Sequence, residues 1–207
     1  MMEIKDAITD LAELDRMYPQ PAAPSIRKVT QRLTEAYRRM IEASPFVAVA
    51  TCGADGLDCS PRGDIAGFVR TADEQTILLP ERRGNNRIDS VRNLVADPRI
   101  ALLFLVPGIQ ETLRVNGRAT VSRDPGLCDS FAVNGNTPRV VIIVRIETVY
   151  FQCGRAIIRS QLWNPSLFRS AEELPTAGTM LAEATAGEEG GSAYDAALPE
   201  RMRTTLY

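Results

Sequence analysis

Apolar positions along the chain follow two periods, and the changes between them mark out the elements. Phe46–Cys52 (FVAVATC) and Arg99–Val106 (RIALLFLV) are continuous apolar, β-rich runs, the pattern of buried strands. Thr112–Val121 alternates cleanly. Leu113, Val115, Ala119 and Val121 share one face, and Thr112, Arg114, Asn116, Arg118 and Thr120 share the other. Arg139–Gln152 opens fully apolar (VVIIV) and then alternates through Arg145 and Glu147. Leu57–Arg62 returns from the first strand across Gly53-Ala54-Asp55-Gly56, with Leu57 and Cys59 on one side and Asp58 and Ser60 on the other. Phe68–Arg70 pairs with Thr76–Leu79 across Ala72–Gln75.

Helical spacing predicts a short helix over 3–17, stopped by Tyr18-Pro19. It predicts a second from an N-cap at Ser25 to about Ala43, with Ile26, Val29, Leu33, Ala36, Tyr37, Met40 and Ile41 on one face. A third carries Ile88, Val91, Leu94 and Val95 and stops at Asp97-Pro98. Short helices are expected from Asp124-Pro125 to about Phe131 and over Arg155–Gln161. Beyond Ser170, TAGEEGGS (185–192) has linker composition, and Ala193–Tyr207 reads as a helix broken at Pro199.

Hairpin connections this short do not accommodate repeated parallel crossovers. The expected fold is therefore mainly β with flanking helices (α+β), an antiparallel barrel of six or seven strands. Residues 1–24 form an N-terminal helix and linker, 25–169 the barrel domain, and 170–207 an extension expected to be partly mobile.

Composition narrows the chemistry. The 207 residues are 44% apolar and 24% charged, with a net charge of -2. That is a globular profile without the basic field that nucleic acid requires. No apolar run approaches a membrane span and the start is acidic, so a cytoplasmic protein is expected. Cys52, Cys59, Cys128 and Cys153 show no CxxC spacing, and reduced thiols are the simpler expectation. There is no histidine at all, which removes Ser-His and Cys-His nucleophile pairs and every His-bearing metal site. Lysine occurs only at Lys5 and Lys28. Positive charge is thus almost wholly arginine, suited to holding phosphate or carboxylate and poor at proton transfer.

Two stretches concentrate that arginine. Glu81–Arg87 (ERRGNNR) precedes a helix, where unpaired N–H groups and the dipole attract anions. It fits either a phosphate site or a solvated, Asn-capped helix start. Ser60-Pro61-Arg62-Gly63-Asp64 offers a hydroxyl, a guanidinium and an open backbone. It fits either an anion clamp or an internal Arg62–Asp64 pair. Arg114 and Arg118 could reach an anion or pair with Glu147, and Trp163 could stack on a planar ring or anchor the last helix. Cys52 and Cys59 flank a turn, as inert thiols or as a redox pair.

Taken together, FVAVATCGADGLDCSPRGD, LLPERRGNNRIDSVRNLVADPRIALLFLVPG, ETLRVNGRA and RSQLWNP resemble the pyridoxamine 5′-phosphate oxidase-like flavoproteins over roughly Phe46–Pro165. The resemblance implies an FMN-binding split β-barrel that works as a homodimer, with a small-molecule substrate or electron donor. By resemblance, Ser60, Arg62 and Gly63 on the second strand and Asn85, Asn86 and Arg87 in the strand–helix loop hold the FMN phosphate. Thr112 and Arg114 match the strand beneath the isoalloxazine ring, and Arg159 and Trp163 match a C-terminal region that approaches the partner subunit's flavin. The resemblance implies an oxidoreductase, with a non-catalytic flavin or deazaflavin binder as the alternative. The oxidase's lysine at the end of the second strand is absent, Asn86-Arg87 replaces its Arg-Lys pair, and its C-terminal Arg/His signature is missing. These departures point away from the vitamin B6 enzyme itself, toward a bacterial FMN-binding subgroup.

Overall fold

Seven strands form one antiparallel sheet in the computed structural model, which describes residue 2, residues 4–54 and residues 56–207. They are β1 (Phe46–Gly53), β2 (Gly56–Gly63), β3 (Arg70–Thr71), β4 (Thr76–Pro80), β5 (Arg99–Leu105), β6 (Thr112–Ser122) and β7 (Val141–Gln152). Their order across the sheet is β2-β1-β5-β6-β7-β4-β3. β2 and β4 lie toward opposite margins, yet Arg62 of β2 reaches Glu81, just past β4, at 3.0 Å. The sheet therefore curls until its margins nearly meet, without a ladder between β2 and β4 among the described residues. That is a split barrel.

The inward face is the apolar set that alternation predicts. Val47, Val49, Ile77, Leu79, Phe104, Leu113, Val115, Val144 and Val149 are fully buried. Each such side chain contributes roughly 1.5–3 kcal/mol on leaving water. β6 and β7 pair over their full lengths with one irregularity at Asn116/Gly117. A Cβ at Gly117 would collide with the carbonyl oxygen of Arg145, so this position admits only glycine.

The helices are α1 (Leu11–Met17), α2 (Ala23–Arg27), α3 (Glu35–Ala43), α4 (Asp89–Ala96), α5 (Pro125–Asp129), α6 (Arg155–Ser160), α7 (Ala177–Ala184) and α8 (Gly191–Thr205). Three of the helices expected from sequence come out differently, and α7 was not expected. α1 covers only the second half of 3–17, because the Asp10 side chain accepts from the Ala12 N–H and starts the helix there; Glu3 lies outside the described residues. The helix expected from Ser25 to Ala43 is two helices. Thr30 and Val149 exchange backbone hydrogen bonds of 3.0 and 2.7 Å, and Thr34 caps α3 through the Tyr37 N–H. Tertiary pairing with β7 overrides a helical spacing that continues through the break. α8 runs without interruption through Pro199. Its Asp195 carboxylate accepts from the Gly178 N–H at 2.7 Å and from Thr176 Oγ1 at 2.6 Å, tying it to the start of α7. The first six residues of TAGEEGGS connect these two helices, and its last two, Gly191 and Ser192, open α8.

Of the β1–β2 turn, Asp55 lies outside the described residues, while Gly53 and Gly56 face one another as a hairpin requires. No described helix is long and apolar enough to cross a membrane.

Candidate functional site

β2 is the strand whose sidedness decides the site. Its register places Arg62 opposite Val47, Ser60 opposite Val49 and Asp58 opposite Thr51. Partners directly across an antiparallel pair share a face, so Asp58, Ser60 and Arg62 lie on the side that is interior elsewhere in the barrel. Leu57, on the other side, is 89% exposed. A polar inner face is stable here only because β2 stands at the split, where that face opens onto a groove. The groove encloses about 1120 Å³ and is lined by Asp58–Gly63 apart from Cys59, by the 81–91 segment, by Asn136–Val140 and by Tyr207.

The 81–91 segment leaves β4 and enters α4 through an unusual backbone. Asn86 (φ 61°) and Ile88 (φ 50°) are both left-handed. Asparagine tolerates this, whereas a β-branched isoleucine does so only under strain of about 1–3 kcal/mol. Gly84, the one glycine of this loop, does not have a positive φ. Nor is α4 Asn-capped: the N-cap is Ile88 and makes no side-chain cap bond. Asn85 instead accepts from the Arg87 N–H at 3.1 Å. Buried Ser90, in the first turn of α4, donates to Asp58 at 2.7 Å and ties the helix to β2.

Five arginines line the groove, and their charges are not equally available. Arg62 pairs with Glu81 at 3.0 Å, and Arg82 pairs with Asp64 at 2.7 Å. The Arg62–Asp64 pair considered from sequence does not form; each residue finds its partner across the split. Arg87 pairs with Asp89 at 2.8 Å on the exposed rim. Arg83 and Arg139 have no carboxylate partner among the described residues. Ser60 also spends its proton locally, donating to Asp58 at 3.1 Å.

Asp64 anchors the far end of this network. Burial pushes its carboxyl up, but the Tyr207 hydroxyl, the Ile65 N–H and the Arg82 guanidinium outweigh that and hold it below the ordinary carboxylate value. The Tyr207 phenol is correspondingly raised, chiefly because its proton is bonded to Asp64.

Of the residues singled out from sequence, Ser60, Arg62, Gly63, Asn85, Asn86 and Arg87 all line this groove. Thr112, Arg114, Arg159 and Trp163 of the same chain do not. Arg114 lies on the opposite face of β6 from buried Leu113 and Val115, and donates to the Tyr150 hydroxyl at 3.1 Å rather than pairing with Glu147. Trp163 donates its indole N–H to the Ile109 carbonyl at 2.8 Å, fastening the segment after α6 to the β5–β6 turn beside a small depression of about 280 Å³. Cys52 and Cys59 are free thiols, as are Cys128 and Cys153. Sequence reasoning placed Arg83 in the basic 81–87 stretch without giving it a ligand contact, and missed Asp58, which precedes the Ser60–Asp64 stretch by two residues. Arg139 and Tyr207 carried no local signal.

These features define a split-barrel protein with a cationic groove at the split. The chain belongs to the pyridoxamine 5′-phosphate oxidase family, whose sequence profile matches residues 33–153. No curated protein sequence matches it significantly. Among solved structures it is similar to HupZ of Group A Streptococcus, at 17% identity and a TM-score of 0.49, over 58% of this chain and 94% of that one. It is similar to a candidate pyridoxamine 5′-phosphate oxidase from Lactobacillus delbrueckii at 23% identity and a TM-score of 0.46, over 58% and 95% of the two chains. An FMN-binding protein from Syntrophomonas wolfei is 12% identical with a TM-score of 0.41, over 55% and 86%.

Proposed function

We propose that the groove binds FMN and that the protein is a flavin-dependent oxidoreductase acting as a homodimer on a small organic molecule. The observation that carries this is the pair of uncompensated guanidinium groups, Arg83 and Arg139, facing one large groove from two separate loops. A phosphomonoester is a tetrahedral, multiply charged anion, and the planar guanidinium fork can hold two of its oxygens at once. Arg83 and Arg139 would take its charge, with Asn85, Asn86 and Arg87 contributing from the rim. Arg62 and Ser60 are already committed to Glu81 and Asp58, and serve by fixing the wall. Asp58, locked by two hydroxyl donors, presents acceptors suited to the hydroxyls of a sugar alcohol. The groove volume of about 1120 Å³ leaves room for a ligand of this size.

When bound, FMN supplies hydride and electron chemistry at its isoalloxazine ring. The chain then needs only to bind, orient and shield the ring, which is consistent with a site that holds no histidine. We place the second subunit against the outer face of β1 and β2, where Phe46 and Leu57 are exposed near opposite ends of the hairpin and Ile65 is exposed just beyond β2. Thr112, Arg114, Arg159 and Trp163 could meet a flavin only across such an interface. The four free thiols suit the reducing cytoplasm.

A second reading, a flavin or deazaflavin carrier without turnover, is favoured by one observation. Glu81 and Asp89 are held in ion pairs and Asp58 by hydroxyls, so no groove carboxylate is free for proton transfer. Protein incubated with FMN and desalted is expected to keep visible flavin absorbance; colourless protein overturns the flavin assignment. Rapid reduction of the bound flavin by NADH or NADPH, followed by reoxidation with a substrate, separates the enzyme from the carrier.

A further inference from the structure

We infer that Tyr207, which follows α8, supplies part of one wall of the ligand groove as a specificity-determining contact whose ring packs on the bound ligand; this rests on the flavin reading of the groove. This contact comes from outside the family-matched segment, which ends at residue 153. Tyr207 nevertheless lines the same groove as Ser60 and Arg83.

Its fastening is specific. The Tyr207 hydroxyl donates to Asp64 Oδ1 at 2.7 Å, and the other oxygen of Asp64 accepts from Arg82 Nε at 2.7 Å. Arg82 also donates to the Phe131 carbonyl at 2.7 Å, and its guanidinium stands 5.7 Å from the centre of the Tyr207 ring. The Asp64 side chain is only 4% exposed. The hydroxyl is thus spent on the pair that spans the split, and the ring is left as wall. Tyr207 lies two residues beyond the end of α8, and Asp195 ties that helix to the start of α7.

The groove has its volume of about 1120 Å³ with the tyrosine ring in place. A ligand therefore need not displace the ring. A flat aromatic ligand entering beside it buries one more ring face, and aromatic pairs gain from offset or edge-to-face contact beyond the area they bury. Trp163 cannot serve this groove from the same chain, since its indole is bonded at Ile109, beside a different depression. Coupling between two sites is reciprocal in binding free energy. Whatever docking of Tyr207 gives to the ligand, the ligand gives back to the docked end of the chain.

The test uses the full chain, with FMN titrated by quenching of flavin fluorescence into wild type, Tyr207→Phe and Tyr207→Ala, together with hydrogen exchange of the last turn of α8 in the presence and absence of FMN. Tyr207→Ala is expected to weaken binding about tenfold, a figure within the range of aromatic pair contributions. Tyr207→Phe, which keeps the ring but loses the tie to Asp64, is expected to weaken it roughly threefold. FMN is expected to slow exchange at residues 202–206 in the wild type and not in Tyr207→Ala. Wild-type affinity in Tyr207→Ala, or exchange of the last turn unaffected by FMN, overturns this inference and leaves the flavin reading standing. Failure of the wild type to bind FMN overturns the flavin reading and this inference with it.

Discussion

Arginine–carboxylate pairs occupy two kinds of place in this chain, and they do different things there. At the split, Arg62–Glu81 and Arg82–Asp64 join residues 19 and 18 positions apart, with side chains between 4% and 17% exposed. On the surface, Arg203–Glu200 and Arg169–Glu173 join residues within one helical turn or so, with guanidinium groups more than 70% exposed. The chemistry is the same and the surroundings decide its worth. Water screens the surface pairs, and holding two long side chains together offsets most of what they gain. The pairs at the split replace the backbone hydrogen bonds that β2 and β4 do not make with one another. They close the barrel while leaving the groove between them open.

The largest difference is expected at Asp64. Asp64→Ala leaves the Arg82 guanidinium largely buried and unpaired and frees Tyr207, which should cost about 2–4 kcal/mol in urea unfolding. The effect has a defined pH dependence. The native carboxyl lies below its ordinary value, so its contribution is complete above the unfolded value near pH 3.8 and is lost as pH falls through the lowered native value. The stability gap between wild type and Asp64→Ala should be constant from about pH 5 to 7 and shrink below about pH 4. A gap that widens on acidification would contradict the assignment. At the other extreme, Arg203→Ala should leave the urea-unfolding midpoint indistinguishable from wild type and flavin binding unchanged. A large loss there would erase the distinction between the two kinds of pair.

The same contrast explains what could be read from sequence. The strands were legible because a two-residue or continuous apolar pattern has to sit against the core, and Leu113, Val115 and Val149 do so. The loop from Glu81 to Arg87 was legible as a basic stretch before a helix. What it does was not, because its partners are remote: Asp64 and Glu81 lie on different margins of the sheet, and Tyr207 is 143 residues from Asp64. Which arginines keep their charge depends on those distant carboxylates, so no local motif separates Arg83 from Arg82. The break between α2 and α3 was hidden for the same reason, since Thr30 is pulled onto Val149 of β7. Left-handed Ile88 was invisible because nothing in an isoleucine announces it.

The central claim is that the uncompensated arginines of the split hold a phosphate, and the measurement that tests it most directly compares FMN with riboflavin, which lacks that group. Both are titrated into wild type, Arg83→Ala, Arg139→Ala and the double variant. Each charge-assisted contact is worth about 1.5–3 kcal/mol, so the double variant should lose at least about two orders of magnitude in FMN affinity while riboflavin affinity stays within about twofold of wild type. Equal losses for the two ligands, or an FMN preference that survives removal of both arginines, would contradict the account.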